Sequence, residues 1–377
     1  MNNIDCGLYI HIPFCAKKCY YCDFPSYCNL KNRIAPYIGA IKKEIQLIAG
    51  KYPNIIVKTI FIGGGTPTYI DSKYIVEILN EVKKAFAIGN NAEISMEGNP
   101  GTFDLYKLID YKEAGINRLS IGLQASQDRL LKKLGRIHTN KQFLQTFDNV
   151  KKLGFQNINI DLIFGLPDQS MDDWKETLKE VTSLKPSHLS CYSLIIEEGT
   201  PFYELYKRGE ININEDLERE MYYHTKEFLS GKGYNHYEIS NFAKDGFQCI
   251  HNLIYWDVKP YIGIGSSAHS FFNNYRFSNF NSVEKYIKTL SSGILPVANN
   301  HKLTRKELIE EYVFLGLRKV RGISPKDFFN TFEEEIETVY GDVLNKLIGQ
   351  GLIENRGNIF LTSKGLDFAN YVFQSFL

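Results

Sequence analysis

The stretch His11-Ile12-Pro13-Phe14-Cys15-Ala16-Lys17-Lys18-Cys19-Tyr20-Tyr21-Cys22-Asp23-Phe24 leaves an apolar run, Leu8-Tyr9-Ile10-His11-Ile12, and gathers three cysteines within eight residues. The run has the β-branched and aromatic content of a strand, so the cysteines fall on the loop at its carboxyl end. Their spacing is C-x3-C-x2-C. Three thiolates on a short loop can hold three corners of a cubane iron–sulfur cluster, which leaves the fourth iron without a protein ligand. An open coordination position of that kind binds small molecules. Zinc is the competing reading. A structural zinc site closes with four ligands, usually as two pairs. Here there is one trio and no second Cys/His pair at zinc spacing nearby, although His11 and Cys28 could each be drafted as a fourth ligand.

Outside the trio lie Cys6, Cys28, Cys191 and Cys249, so the total is seven. An odd count argues against a disulfide framework. The 377 residues suffice for about two domains, and 44% hydrophobic with 23% charged residues is ordinary for a globular protein. A net charge of +1, from 44 basic and 43 acidic residues, gives no electrostatic reason to expect a nucleic-acid partner. No apolar stretch approaches the ~20 residues of a membrane span. Met1-Asn2-Asn3-Ile4-Asp5 lacks a basic region followed by an apolar core, so the expected location is the cytoplasm.

Outward from the cysteines, strand-like runs at 8–12, 57–62, 92–96, 118–123, 158–164 and 188–195 alternate with segments of helical period. Those helical segments are 37–48, 74–86, 105–114, 143–153 and 171–184. Such alternation implies βαβ units with right-handed crossovers and a parallel sheet. Six units are too few for a closed eight-stranded barrel, so the expected architecture is α/β, a partial (β/α)6 TIM-like barrel. The expected divisions are a barrel over 1–235, an aromatic and histidine-rich segment over 236–302 packing on it, and a smaller C-terminal domain over 303–377. In that last part three helices precede a strand pair, Leu352-Ile353-Glu354 and Ile359-Phe360-Leu361, which is a winged-helix-like α+β pattern. The segment is not strongly basic, so a structural or protein-contact role is expected of it rather than nucleic-acid binding.

In a parallel α/β layer ligands lie at the carboxyl ends of strands. The cysteine loop, Gly63-Gly64-Gly65-Thr66, Glu97, Gln124, and Asp161 followed by Gly165-Leu166-Pro167 all fall at such ends. Any one of these is unremarkable in a loop; the series points to a site. Glycines there let backbone approach a ligand closely.

C-x3-C-x2-C after an N-terminal strand closely resembles the motif of the radical S-adenosylmethionine superfamily. The resemblance implies that the open iron binds the amino and carboxylate groups of S-adenosylmethionine, and that an electron from a [4Fe-4S] cluster on Cys15, Cys19 and Cys22 cleaves the sulfonium to give a 5′-deoxyadenosyl radical. Tyr9 six residues before Cys15, the Gly63–Thr68 turn, Glu97, Gln124, Arg136 in Leu134-Gly135-Arg136-Ile137-His138, and Asp161 together resemble the oxygen-independent coproporphyrinogen oxidase family and its relatives. By that resemblance Tyr9, Tyr21, Gly64, Gly65, Thr66, Glu97, Gln124, Arg136 and Asp161 contact S-adenosylmethionine. The chemistry is sensible: carboxylates suit ribose hydroxyls and an amino group, and a guanidinium suits a carboxylate.

Two features choose within the family. The coproporphyrinogen enzymes carry a further cysteine two residues after the third, where this chain has Phe24. The chain also carries His251-Asn252-Leu253-Ile254-Tyr255-Trp256, after Tyr237-Glu238-Ile239-Ser240-Asn241-Phe242 and before Gly263-Ile264-Gly265-Ser266-Ser267-Ala268-His269. Read as residues alone, H-N-x-x-Y-W is a core-facing aromatic cluster with a satisfied histidine, or else an imidazole ligand beside flat faces for a porphyrin. The block resembles the heme-chaperone branch of the family, which implies heme as cargo with His251 its ligand. It further implies heme-acceptor apoproteins, which could include membrane-associated ones, and an electron donor such as a flavodoxin or ferredoxin. Oxidative decarboxylation of coproporphyrinogen III is the alternative function.

Overall fold

Between Ile4 and Ser193 six parallel strands are laid down in chain order: β1 (Ile4–Ile12), β2 (Ile55–Gly64), β3 (Ala87–Gly98), β4 (Arg118–Gln124), β5 (Asn157–Phe164) and β6 (His188–Ser193). The computed structural model describes residues 3–377. The strands are buried on both faces, as parallel strands are when helices cover them, so they read as near-continuous Ile/Leu/Val runs. Helices Ile34–Lys51, Ser72–Ala85, Leu105–Glu113, Asn140–Lys152 and Met171–Ser183 make the return crossings. Their starts are written in the sequence. Asp71, Asp104, Thr139 and Ser170 each accept a backbone N–H as N-cap, and Thr139/Gln142 and Ser170/Asp173 form reciprocal capping boxes. Each such cap is worth about 1 kcal/mol and fixes where the chain turns from strand-end loop into helix.

Register carries the strand ends to one edge. Ile12 lies beside Gly64, Gly122 beside Asp161, and Asp161 beside Ser190. The segment 236–302, expected to pack on the barrel, contributes strands to its sheet on both sides. At the β6 side β8 (Asn241–Ala243) pairs antiparallel with β6, and β7 (Asn235–Glu238) pairs with β8. At the other side β9 (Tyr261–Ile264) runs parallel to β1, followed by β10 (His269–Phe272), β11 (Tyr275–Asn279) and β12 (Val297–Lys302). Among the described residues this is one twelve-stranded open sheet, ordered β12-β11-β10-β9-β1-β2-β3-β4-β5-β6-β8-β7.

Beyond it, helices Arg305–Gly316, Pro325–Phe332 and Ile336–Gly349 and the hairpin Ile353–Asn355/Ile359–Leu361 enclose a second core around Val313, Phe328, Leu347 and Val372. Two short helices, Ser363–Asp367 and Ala369–Gln374, close the chain and were not expected from its sequence pattern. Among the described residues no helix is long and apolar enough to cross a membrane.

Candidate functional site

The cysteine loop is pinned at its neck. Phe14 bridges to Tyr27, Cys15 N–H donates to the Tyr27 carbonyl at 3.1 Å, and Tyr27 N–H donates to the Pro13 carbonyl at 2.7 Å. Farther out, Tyr20 N–H reaches the Leu134 carbonyl at 3.0 Å. The loop therefore presents Cys15, Cys19 and Cys22 toward one cavity of about 450 Å³. All seven cysteines are free thiols. Thr66 Oγ1 donates to Cys15 Sγ at 3.5 Å and the Arg136 guanidinium to Cys19 Sγ at 3.6 Å. Hydrogen bonds to cluster thiolates are among the levers that set a cluster's potential.

Glycine is required where the turn after β2 meets this loop. Gly64 has φ +109°, and a Cβ there would lie 2.4 Å from the His11 ring. A Cβ on Gly65 would lie 3.0 Å from Cys15 Sγ and 2.9 Å from the Phe14 carbonyl oxygen. Gly65 N–H instead donates to the Ile12 carbonyl and Thr66 N–H to the Phe14 carbonyl, both at 2.9 Å.

The same cavity is lined by Tyr21, Gly64, Gly65, Thr66, Glu97, Gln124, Arg136 and Asp161, so most of the expected site residues converge there. Glu97 accepts the Gly64 N–H at 3.2 Å. Burial, reinforced by the charge of Asp161, pushes its carboxyl up to about 7. Asp161 accepts from Ser120 Oγ and Asn159 Nδ2, both at 2.8 Å; burial still raises its carboxyl, those bonds and Arg118 opposing. Two buried carboxyls in one pocket favour a cationic ligand, since a positive group lets both ionise. Gln124 has φ +74°, a strained backbone for a non-glycine residue, and sits where the β4–β5 register shifts. Arg136 is committed to the protein: besides Cys19 it donates to Asn99 Oδ1 and the Gly122 carbonyl, each at 2.6 Å. In this structure it braces the cysteine loop as well as lining the cavity.

Sequence reading missed Asn99, Ser120, Asn159, Ser190 and Arg118. Their signal was period two: Ser120 and Asn159 precede Gly122 and Asp161 by two residues on β4 and β5, so they share a face with them.

Tyr9 and His251 lie elsewhere. Tyr9 faces a second cavity of about 630 Å³, next to the first; Phe24, Gly64 and Glu97 border both. Tyr255 and Trp256 line this second cavity as well. His251 does not. Its Nδ1 is 2.7 Å from Thr59 Oγ1 and its Nε2 2.8 Å from Tyr255 Oη; the ring stacks on Phe61 and the residue is fully buried. Burial lowers its pKa to about 3, so the imidazole is neutral. In this structure the ring has the contacts of a satisfied core histidine and holds Tyr255 Oη. It borders a 160 Å³ pocket that Glu97 and Asp161 also line.

Does the first cavity suit a cubane and a sulfonium nucleotide? The donor set does: three thiols from one loop, a glycine turn that leaves room against Cys15, and two buried carboxyls opposite. Among the described residues no three His, Cys, Asp or Glu groups converge as a single-ion site would require. A cubane spreads its thiolates over three irons and needs no such convergence.

The fold and site define a protein of the radical S-adenosylmethionine class, which implies a [4Fe-4S] cluster and S-adenosylmethionine. Residues 9–181 match the Radical SAM superfamily and residues 303–368 the HemN C-terminal domain. Within that class the chain belongs to the HemW family of heme chaperones. The heme chaperone HemW of Bacillus subtilis is 37% identical over 372 residues, 98% of each chain. That of Lactococcus lactis is 37% identical over 98% of this chain and 96% of its own, and that of Escherichia coli 39% identical over 70% and 69%. The fold is that of Escherichia coli coproporphyrinogen III oxidase (HemN), with a TM-score of 0.88 over 100% of this chain and 90% of that one at 24% identity.

Proposed function

We propose that this chain binds heme in the 630 Å³ cavity, beside a [4Fe-4S] cluster and S-adenosylmethionine held in the 450 Å³ cavity, and passes the heme to acceptor apoproteins. The observation that carries the reading is the shared wall: Phe24, Gly64 and Glu97 face both cavities, so cargo and cofactor sites adjoin. Cys15, Cys19 and Cys22 would hold the cluster, and Glu97 and Asp161 would take polar and cationic groups of S-adenosylmethionine. When bound there, the cluster supplies an electron to the sulfonium, drawn from a donor of the flavodoxin or ferredoxin kind. The second cavity has the apolar, aromatic lining that small-molecule sites use, within the usual ~300–1,000 Å³. Trp256 adds a buried indole N–H with no partner among the described groups.

Phe24, 61% exposed at the wall between the cavities, speaks against the decarboxylase alternative. An aromatic ring there cannot supply the thiol that the coproporphyrinogen enzymes carry at this position.

The test is anaerobic reconstitution followed by iron analysis, hemin titration and a coproporphyrinogen III assay in parallel. About four irons and four sulfides per chain are expected, lost on changing Cys15, Cys19 or Cys22 to Ser and kept on changing Cys6, Cys28, Cys191 or Cys249. One heme should bind per chain, and no carbon dioxide should be released from coproporphyrinogen III. Sustained decarboxylation would promote the alternative.

A further inference from the structure

We propose that Arg276 is the carboxylate subsite of the 630 Å³ cavity, the group that takes a propionate of the porphyrin in exchange for Glu311; the inference rests on the heme reading above. Heme is a flat apolar disc with two carboxylates at one edge. Its pocket needs aromatic walls and, at one place on them, a cation. Among the described residues Arg276 is the only lysine or arginine that lines the cavity. It stands on β11 and pairs across to Phe271 of β10, so both side chains leave the same face of the sheet. The guanidinium lies over the Phe271 ring at 4.5 Å, and Nη1 donates to Tyr261 Oη at 2.8 Å. Tyr261 in turn packs edge-on against Tyr255, with ring centroids 4.6 Å apart. Two aromatic side chains of the sheet thus fix the plane of the fork and leave its Nε/Nη2 edge for an anion. A planar fork held in this way grips a carboxylate with both donors at once.

In this structure Glu311 takes that edge. Nη2 donates to its Oε2 at 2.6 Å and Nε to its Oε1 at 3.1 Å. Glu311 comes from the helix Arg305–Gly316 of the C-terminal unit, not from the sheet, and it lines the cavity as well. An incoming carboxylate has the charge and shape of the one it displaces, so the exchange never leaves the guanidinium unpaired. Glu311, with its side chain 18% exposed, regains water when it lets go. Two further groups on the cavity wall call for acceptors. Trp256 Nε1 and Ser267 Oγ are both buried with no partner among the described groups, and Ser267 holds a strained φ of +61°. Buried donors without partners are costly. A ligand with two carboxylates brings the acceptor oxygens they lack. A salt bridge that served only to tie the two units together would gain nothing from these donors or from a place in the cavity wall.

The experiment titrates the full-length protein with hemin and with hemin dimethyl ester, in the same dilute detergent, for wild type, Arg276→Gln and Glu311→Gln. The readout is the ratio of the two affinities, which cancels any general change in the cavity or the fold. Wild type should prefer hemin by about tenfold or more. Arg276→Gln should lose that preference, by weakening hemin and leaving the ester nearly unchanged. Glu311→Gln should raise the preference, because the competing carboxylate is gone. The wild-type ratio and the Glu311→Gln ratio test the proposal even where Arg276→Gln does not fold. Equal affinity of wild type for hemin and its ester, or an unchanged ratio in folded Arg276→Gln, overturns the subsite while the heme reading stands. A ratio that does not rise in Glu311→Gln overturns the exchange. A wild-type protein that takes up neither porphyrin in stoichiometric amount overturns the heme reading, and the subsite with it.

Discussion

Glu97 and Asp161 come from β3 and β5, the strands on either side of β4, and meet at one cavity with Ser120 and Gly122 of β4 between them. Their pairing gives a pH dependence whose sign follows from burial. Without ligand, Glu97 holds a proton below about 7. A cationic amino or sulfonium group must expel that proton to gain a carboxylate partner. S-adenosylmethionine should therefore bind with constant affinity above neutrality and lose up to about tenfold per unit as pH falls below 7. Asp161, also raised by burial, would take up a proton in the same direction and steepen the loss, whereas Arg118, Tyr9, Tyr192 and Tyr255 are shifted upward from already high values and keep their charge state. Asp161→Ala should weaken binding by ~1.5–3 kcal/mol, the range for a charge-assisted hydrogen bond. Anaerobic titration calorimetry between pH 6 and 8 checks both, and a flat profile would remove Glu97 from the binding site. Residues of this kind were legible because they are polar positions in the carboxyl-terminal halves of otherwise apolar strands. His251 was not: what closes its ring is Thr59, 192 positions away, and no local pattern announces that bond.

At the scale of elements, the first six strands were legible because buried parallel strands are apolar throughout and end in turn residues. The strands of 236–302 were not. β9 joins β1 across some 250 positions, and β12, Val-Ala-Asn-Asn-His-Lys, is an exposed edge with no apolar period. What secures the β9–β10 corner is a buried carboxylate. Glu44, on the helix Ile34–Lys51, accepts from Gly265 N–H at 2.9 Å, from Asn279 Nδ2 at 2.7 Å and from Tyr286 Oη. Burial raises its pKa from the ordinary 4.5 to about 7, against those bonds. A carboxyl raised in the folded state contributes stability that is full below its unfolded value and is lost as pH rises through about 7. Glu44→Ala strands three buried donors and should cost ~3 kcal/mol or more, while Glu44→Gln should cost less and flatten the pH dependence between 5 and 7. Urea unfolding at several pH values measures this. Equal stability of wild type and Glu44→Ala would show that the corner does not depend on the carboxylate.

For the whole molecule, the question is how the C-terminal unit is held, since it has its own hydrophobic core and also supplies Glu311, Phe314 and Leu315 to the second cavity. One contact is a latch. Ile239 N–H donates to the Arg318 carbonyl and Val320 N–H to the Tyr237 carbonyl, both at 3.1 Å, so residues 318–320 add a short antiparallel rung beside β7. Lys319, which projects from that rung, is nearly buried and pairs with Asp257, one residue past the helix that carries Tyr255 and Trp256. Arg318 lies over the Trp256 ring at 4.4 Å. An ion pair with side chains 10% and 18% exposed gains more than a surface pair, and losing one member leaves the other charge poorly solvated. Lys259 and Arg321 also approach Asp257, at 3.8 and 3.5 Å, and soften that penalty. Lys319→Met should therefore cost ~2–3 kcal/mol, below the 3–5 of a fully buried pair. Because the unit has a core of its own, the loss should fall on the coupling between units. Calorimetry should show wild type unfolding in one transition and Lys319→Met in two, the first belonging to the C-terminal unit. Hemin affinity should drop with it, because one wall of the cavity is carried by that unit. Iron content should hold, because the cysteine loop is anchored to β1 and Leu134. A Lys319→Met protein that melts in a single transition at the wild-type temperature would show that the backbone rung, not the ion pair, joins the two cores.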